Sequence, residues 1–255
     1  MLDLFHAEPT GDSARVLIVL EEKALEFHGH YVDVLAFEQY RPPLVELAPG
    51  AEIPVLIRDG VASTGASAVC ELLEEAFPER PLMPTGARER WCVRVWQKHV
   101  DDLVASAVTE LAWQAYGKRS LPPPARAELE ASLERIVPAE ERPRWLAALA
   151  GYGEEQLARA HARVEETVVK VEAALAGSEW LAGPMFSLAD VAVFAYFNYL
   201  PALGSARLSE SEAPRALAWL RAIAERPAVR TALARGRAAD PFTTATPAPE
   251  QIRWG

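Results

Sequence analysis

The sequence predicts an α/β domain joined to an all-helical one. Three observations carry that prediction: strand and helix patterns alternate over the first eighty residues, a proline-rich break follows from Pro78 to Gly86, and helical periodicity alone continues from Arg88 onward.

The elements follow in chain order. Leu2 to Phe5 reads as a short strand. Gly11-Asp12-Ser13 gives helix-start chemistry ahead of the apolar run Val16, Leu17, Val19 and Leu20. Phe27 to Val34 predicts a second strand, with a turn-forming glycine inside it. Ile53 to Arg58 and Val61 to Ser63 flank Asp59-Gly60, a dipeptide suited to a hairpin turn because both central residues of that turn take positive φ. Val69, Leu72, Leu73, Ala76 and Phe77 then recur at helical spacing, which gives the order βαβ(α)ββα. The first domain is therefore placed at residues 1–80, a linker at 81–87 and a helical domain at 88–239. Trp91, Val95, Val100 and Leu103 open that second domain. Its pattern is interrupted at Pro122-Pro123-Pro124, at Pro138, from Gly151 to Gly153 and at Gly183-Pro184. Glu154 to Leu175 is the clearest amphipathic helix. Residues 240–255, with Pro241, Pro247 and Pro249, read as an irregular tail, and there is no internal repeat.

Composition limits the function. Half of the 255 residues are hydrophobic and 24% are charged, enough to build a core. A net charge of −10 disfavours nucleic acid and anionic membrane surfaces as partners, since both are polyanions. No segment has the length of a membrane span. The first twenty residues lack the basic-then-apolar order of a secretory leader, and the chain holds two cysteines, so the expected compartment is the cytoplasm and the expected thiols are reduced. Cys70 and Cys92 fall in apolar helical patterns, where a buried inert thiol is the expectation. His28 and His30 share one face of a strand, but no third ligand stands near in sequence; a solvated strand edge is expected there, and no metal site.

Three stretches carry a family resemblance. Ile53-Pro54, before the hairpin, resembles a strand start that keeps a cis-proline. Phe186-Ser187-Leu188-Ala189-Asp190-Val191 has the form of a capping box, with Ser187 capping, Asp190 answering and Phe186 placed to staple onto Val191. Ala218-Trp219-Leu220 followed by Arg226-Pro227-Ala228 resembles a late helix ended by an Arg-Pro step. Together they resemble the glutathione transferase superfamily, whose first domain is thioredoxin-like and whose second is all-helical. Within it the sequence is similar to the bacterial β-etherase group, which cleaves aryl ethers of lignin-derived compounds with glutathione as nucleophile. That similarity runs from Leu2 to about Arg237 and includes Lys23-Ala24-Leu25-Glu26-Phe27, Phe37-Glu38 and an inserted segment from Ile136 to Trp145.

The resemblance implies roles residue by residue. Ser13 matches the serine that stabilises the glutathione thiolate at the start of the first helix, where the helix dipole favours an anion; by residue type alone, Ser13 or Asp12 is simply the helix cap. The main chain of Ile53, before Pro54, would pair with the cysteinyl part of glutathione. The clamp for the γ-glutamyl end is altered, because an acidic residue and a serine are expected where this chain has Gly65 and Ala66, with Ser67 next. Glu52 stands where a residue facing the glycyl carboxylate is usually glutamine or lysine, and its charge opposes that group. Asp101 matches a position near the ligand amine, against the plainer reading of an exposed helical aspartate. Losing two or three charged hydrogen bonds weakens glutathione by on the order of 10² to 10⁴. Main-chain amides at the start of the third helix remain able to receive a carboxylate. Pro9, Trp113, Tyr116 and Tyr196 are candidates for the wall of an apolar substrate pocket, with Phe197 and Tyr199 near them, against a core role for most of these rings.

Three functions are thus open. The first is a glutathione-dependent transferase acting on an apolar, aromatic electrophile or aryl ether. The second is a transferase-fold enzyme that has abandoned glutathione for isomerisation, elimination or cyclisation in specialised metabolism. The third is a non-catalytic binding module. By analogy with the fold, a homodimer is expected.

Overall fold

The computed structural model describes residues 1–117 and 123–237, so Pro122 and the tail from Asp240 lie outside the described residues. The α/β half is built from β1 (Leu2–His6), α1 (Gly11–Glu22), β2 (His28–Tyr31), α2 (Leu44–Leu47), β3 (Val55–Arg58), β4 (Val61–Ser63) and α3 (Ala66–Ala76). The sheet order is β2-β1-β3-β4. β2 runs parallel to β1 in the register Leu4 to Gly29, and β3 runs antiparallel to β1 with Leu4 opposite Leu56. Along β1, Leu2, Leu4 and His6 are buried at alternate positions, the period-2 pattern of a strand with one face on a core. β2 is shorter than the sequence pattern suggested. As an edge strand it leaves His28, Gly29 and His30 exposed, and the chain departs from pairing after Tyr31. Among the described residues no group of His, Cys, Asp or Glu has the makings of a metal site.

α1 is buried on all sides from Ser13 to Leu20. A helix with no solvent face must be apolar all round, and α1 meets that demand everywhere but at Ser13 and Arg15. α3 keeps Ala66, Val69, Cys70 and Leu73 inside, whereas Leu72, expected in the same stripe, is 37% exposed on the outer face. Lys23 closes the lower end of this layer. Its ammonium lies 2.6 Å from Glu74 and donates to the carbonyls of Phe77 and Arg80.

The helical half begins with α4 (Ala87–His99), continues through a π-helical turn (Val100–Val104) into α5 (Ala105–Ala112), and ends in a second π turn (Trp113–Gly117). α6 (Pro123–Ile136), α7 (Arg142–Ala150), α8 (Glu154–Leu175), α9 (Leu188–Phe197), α10 (Leu200–Leu203), α11 (Pro214–Ala224) and α12 (Pro227–Leu233) follow. α8 coincides with the helix read from the sequence. All ten residues of α9 are buried, and one apolar cluster runs without a break from α1 and α3 to α4, α8, α9 and α11. A second cluster joins Phe37 and Tyr40, after β2, to Trp113, Leu133 and Trp145. The inserted helices α6 and α7 therefore seal the α/β half from the side.

The capping box of α9 is present: Ser187 Oγ accepts from the Ala189 N–H, and Asp190 accepts from the N–H and hydroxyl of Ser187. Asp190 also accepts from the N–H of Leu181 and from the Trp219 indole at 2.9 Å. Burial pushes its carboxyl up to about 6, although these four bonds pull it down. Asp190→Ala would strand buried donors on three elements, each worth about 1–3 kcal/mol. Urea denaturation at neutral pH is expected to record a loss of at least about 3 kcal/mol, with Ser187→Ala costing about 1 kcal/mol.

Candidate active site

The site lies where the first turns of α1 and α3 and the first π turn converge through hydrogen bonds among Arg15, Ser67 and Asp101. Helix α1 starts earlier than expected, at Gly11, with Thr10 in extended conformation as its N-cap and no side-chain cap bond. Ser13 and Asp12 are therefore not caps. Ser13 is in the first turn and 4% exposed, with its oxygen accepting from the Ala7 N–H at 3.1 Å. A hydroxyl that accepts one bond still has its proton to donate.

The Ile53-Pro54 peptide bond is cis, and so is Pro42-Pro43. The main chain of Ile53 stands outside the β1–β3 ladder, which begins at the Phe5–Val55 pair. Gly65 is the N-cap of α3 with φ +79° and ψ +104°, a conformation that excludes most residues with a Cβ. Ala66 is buried beside it. Glu52 is half-buried just before Ile53.

Arg15, which the sequence reading did not single out, organises the polar part of the site. It is 1% exposed and its guanidinium donates to Asp12 at 3.0 Å, to Asp101 at 2.6 Å and to the hydroxyl of Ser67. Ser67 in turn donates to the other oxygen of Asp101 at 2.6 Å, and Tyr196 donates to Asp12 at 2.9 Å. Burial by itself would drive the guanidinium toward neutrality; the carboxylates of Asp12 and Asp101 more than reverse this and hold its pKa above the usual value. Two carboxylates against one cation leave a negative charge, on side chains that are 39% and 41% exposed. Asp101 is thus neither isolated nor merely a surface aspartate. One signal for Arg15 was in the sequence: a lone cation inside an otherwise apolar helix has to find buried partners.

Several of the predicted pocket residues are buried and hydrogen-bonded. Trp113 is fully buried and donates its indole N–H to the Ala148 carbonyl at 2.7 Å. Tyr196 is 5% exposed, its ring packed where a Cβ on Gly11 would meet it at 3.0 Å, and burial pushes its phenol well above the ordinary value. Pro9 is buried, its carbonyl accepting from Tyr199 at 2.8 Å. Trp113 and Tyr196 each have a polar tip that is satisfied in the core. Tyr116 is partly exposed, with its hydroxyl on the Ala202 carbonyl. Cys70 is buried against Arg15's end of α3, and burial pushes its thiol up to about 12, which suits an inert thiol.

Residues 13–76 match the family model described as glutathione S-transferase, N-terminal domain, and residues 154–222 match the C-terminal domain model. Protein LigF of Sphingobium sp. (strain NBRC 103272 / SYK-6) is 31% identical over 236 residues, covering 90% of this chain and 91% of its own. The crystal structure of beta-etherase LigF from the same strain superposes with a TM-score of 0.83 at 30% identity, over 92% of this chain and 99% of that one. A glutathione transferase homologue from Sulfitobacter, solved with bound glutathione, has a TM-score of 0.66 at 20% identity over 91% and 96% of the two chains, a likeness of fold.

The positive φ of Gly65 yields a direct test. Nothing lies nearer than 4.0 Å to a Cβ built there, so Gly65→Ala isolates the backbone term. It is expected to lower stability by about 1–3 kcal/mol in urea denaturation, while Ala66→Gly changes it by less.

Proposed function

The chain belongs to the glutathione transferase superfamily, and from that premise we propose that it is a glutathione-dependent enzyme of the β-etherase-like group. Its substrate is an apolar aromatic ether. The observation that carries this reading is the cis Ile53-Pro54 bond together with a buried Ser13 in the first turn of α1, in a chain 31% identical to LigF over 90% of its length. Ser13 donates its proton to the glutathione sulfur and, with the free amides of the first turn, favours the thiolate. The thiolate attacks the carbon that bears the aryloxy group. A C–S bond forms, the C–O bond breaks with its electron pair going to oxygen, and the phenolate takes a proton from solvent.

The γ-glutamyl end is held differently from the usual clamp. The amides of Ala66 and Ser67 at the start of α3 receive its carboxylate, and no side chain is needed for that. The residual negative charge of Asp12, Arg15 and Asp101 attracts its ammonium. Affinity is consequently modest.

One observation favours the second reading, an enzyme that does without glutathione: Arg15 already engages both Ser67 and Asp101. Calorimetry separates the two. A glutathione Kd between about 0.1 and 10 mM is expected, with Ser13→Ala reducing the rate of phenol release from an aryl ether by about 10²-fold and leaving Kd within a few-fold. Absence of heat at millimolar glutathione would overturn the glutathione-dependent reading.

The protein is further proposed to be a homodimer, through the outer faces of α3 and α4. Trp91 and Val95 stand one turn apart on α4 at 63% and 45% exposure, and Leu72 adjoins them across the Glu71–Arg94 ion pair. Large apolar side chains grouped in this way favour a partner surface over water. Light scattering is expected to give twice the mass of 27.9 kDa, and Trp91→Glu with Val95→Lys is expected to halve it.

A further inference from the structure

The loop between β1 and α1 carries a hydrogen-bond partner of Ser13, and it is anchored by the far end of the chain. The Ala7 N–H donates to Ser13 Oγ at 3.1 Å. One residue on, Glu8 is 3% exposed, and a carboxylate that deep in a loop needs donors. Tyr31, the last residue of β2, donates its hydroxyl to Glu8 Oε1 at 2.7 Å. The N–H of Arg237, beyond the end of α12, lies 3.1 and 3.2 Å from the two carboxylate oxygens.

Arg235, Gly236 and Arg237 form a strap across this loop. Arg235 pairs with Glu21 at 2.6 Å and lies 4.3 Å from the Phe27 ring centre, and the Arg237 guanidinium lies 4.3 Å from that of Tyr31. Each cation over a ring pins one end of the strap. Gly236, between them, is pressed onto the loop: a Cβ there would collide with Glu8 Oε2 and would stand 2.9 Å from Cδ of Pro9. The Glu8 carboxylate could turn aside only by leaving the Arg237 N–H, and the Pro9 ring has no free torsion with which to turn. Here the glycine is required by close approach of the backbone. On its other side the loop is held by Tyr199, which donates to the Pro9 carbonyl at 2.8 Å.

We propose that the strap positions Ser13: Gly236 and Arg237 seat Glu8 and Pro9, the seated loop keeps the Ala7 N–H on Ser13 Oγ, and the hydroxyl proton stays aimed at the glutathione sulfur. A hydroxyl oxygen that already accepts one hydrogen bond has fewer directions left for its own proton, and a donor fixed beforehand stabilises an anion better than one that must reorient. Glu8 and Gly236 are positioning residues that act through Ser13. The part played by the sulfur rests on the transferase reading; the coupling of strap, loop and Ser13 does not.

The test is a double-mutant cycle on the full chain. Gly236→Ala is expected to slow phenol release from an aryl ether by about 10-fold and to raise the thiol pKa of bound glutathione, followed by thiolate absorbance, while the glutathione Kd stays within about 2-fold. In a Ser13→Ala background the same change is expected to cost less than about 2-fold, because residues acting along one path are not additive. Glu8→Ala is expected to behave as Gly236→Ala does, and Glu8→Gln, which keeps an acceptor for Tyr31 and Arg237, to restore most of the rate. Equal factors in the two backgrounds, or an unchanged rate in Gly236→Ala, would overturn the proposal. Amide hydrogen exchange gives a readout without ligand: in Gly236→Ala the Ala7 amide is expected to exchange at least about 10-fold faster while the amides of α8 keep their protection. If wild-type protein neither binds glutathione nor releases phenol, the transferase reading falls and exchange alone decides. Selective loss of protection at Ala7 then upholds the strap, and unchanged protection there, or an equal loss in α8, sinks it.

Discussion

Arg15 is carried by a helix walled by the sheet, by α3 and by α9 and α12, so its charge has no route to bulk water and has to be answered where it lies. Asp12 answers from the same helix, Asp101 from the π turn after α4, and Ser67 from the first turn of α3. Three elements are thereby held at fixed distances. A buried cation stripped of its partners is costly enough that the relative placement of these elements tolerates little drift. The site inherits its shape from that constraint.

The same constraint explains how the site could change its clamp and keep its form. An acidic residue at position 65 would have added a third carboxylate beside a single guanidinium, and would have had to adopt a positive φ. Gly65 removes both difficulties, the charge and the strain. On the proposed reading, the ligand is then held chiefly by main-chain amides at the start of α3.

The inserted helices brace another side of the α/β half. α6 and α7 bury Trp145 against Phe37 at a ring distance of 4.9 Å and hold Tyr40 through its hydroxyl. They also pack against the segment leading to the cis-proline, where Ala51 joins the same cluster.

Much of this was legible from residues alone. Local chemistry wrote the Asp59-Gly60 turn, the extent of α8 and the reciprocal capping of Ser187 and Asp190, because each depends on neighbours a few positions apart. The family resemblance, carried by short motifs, gave the fold and pointed to Ser13, Ile53, Ser67 and Asp101. Tertiary structure decided what each of these touches. Helix α1 begins at Gly11, not at Ser13, since its N-cap is set by where the loop leaves β1. Trp113 and Tyr196 became core, and Arg15 became the centre of the polar network, through partners 86 residues away in Asp101 and 184 residues away between Asp12 and Tyr196. Periodicity records which face of a helix is buried. It carries no record of what lies across that face, and buried charge is settled by exactly those distant neighbours.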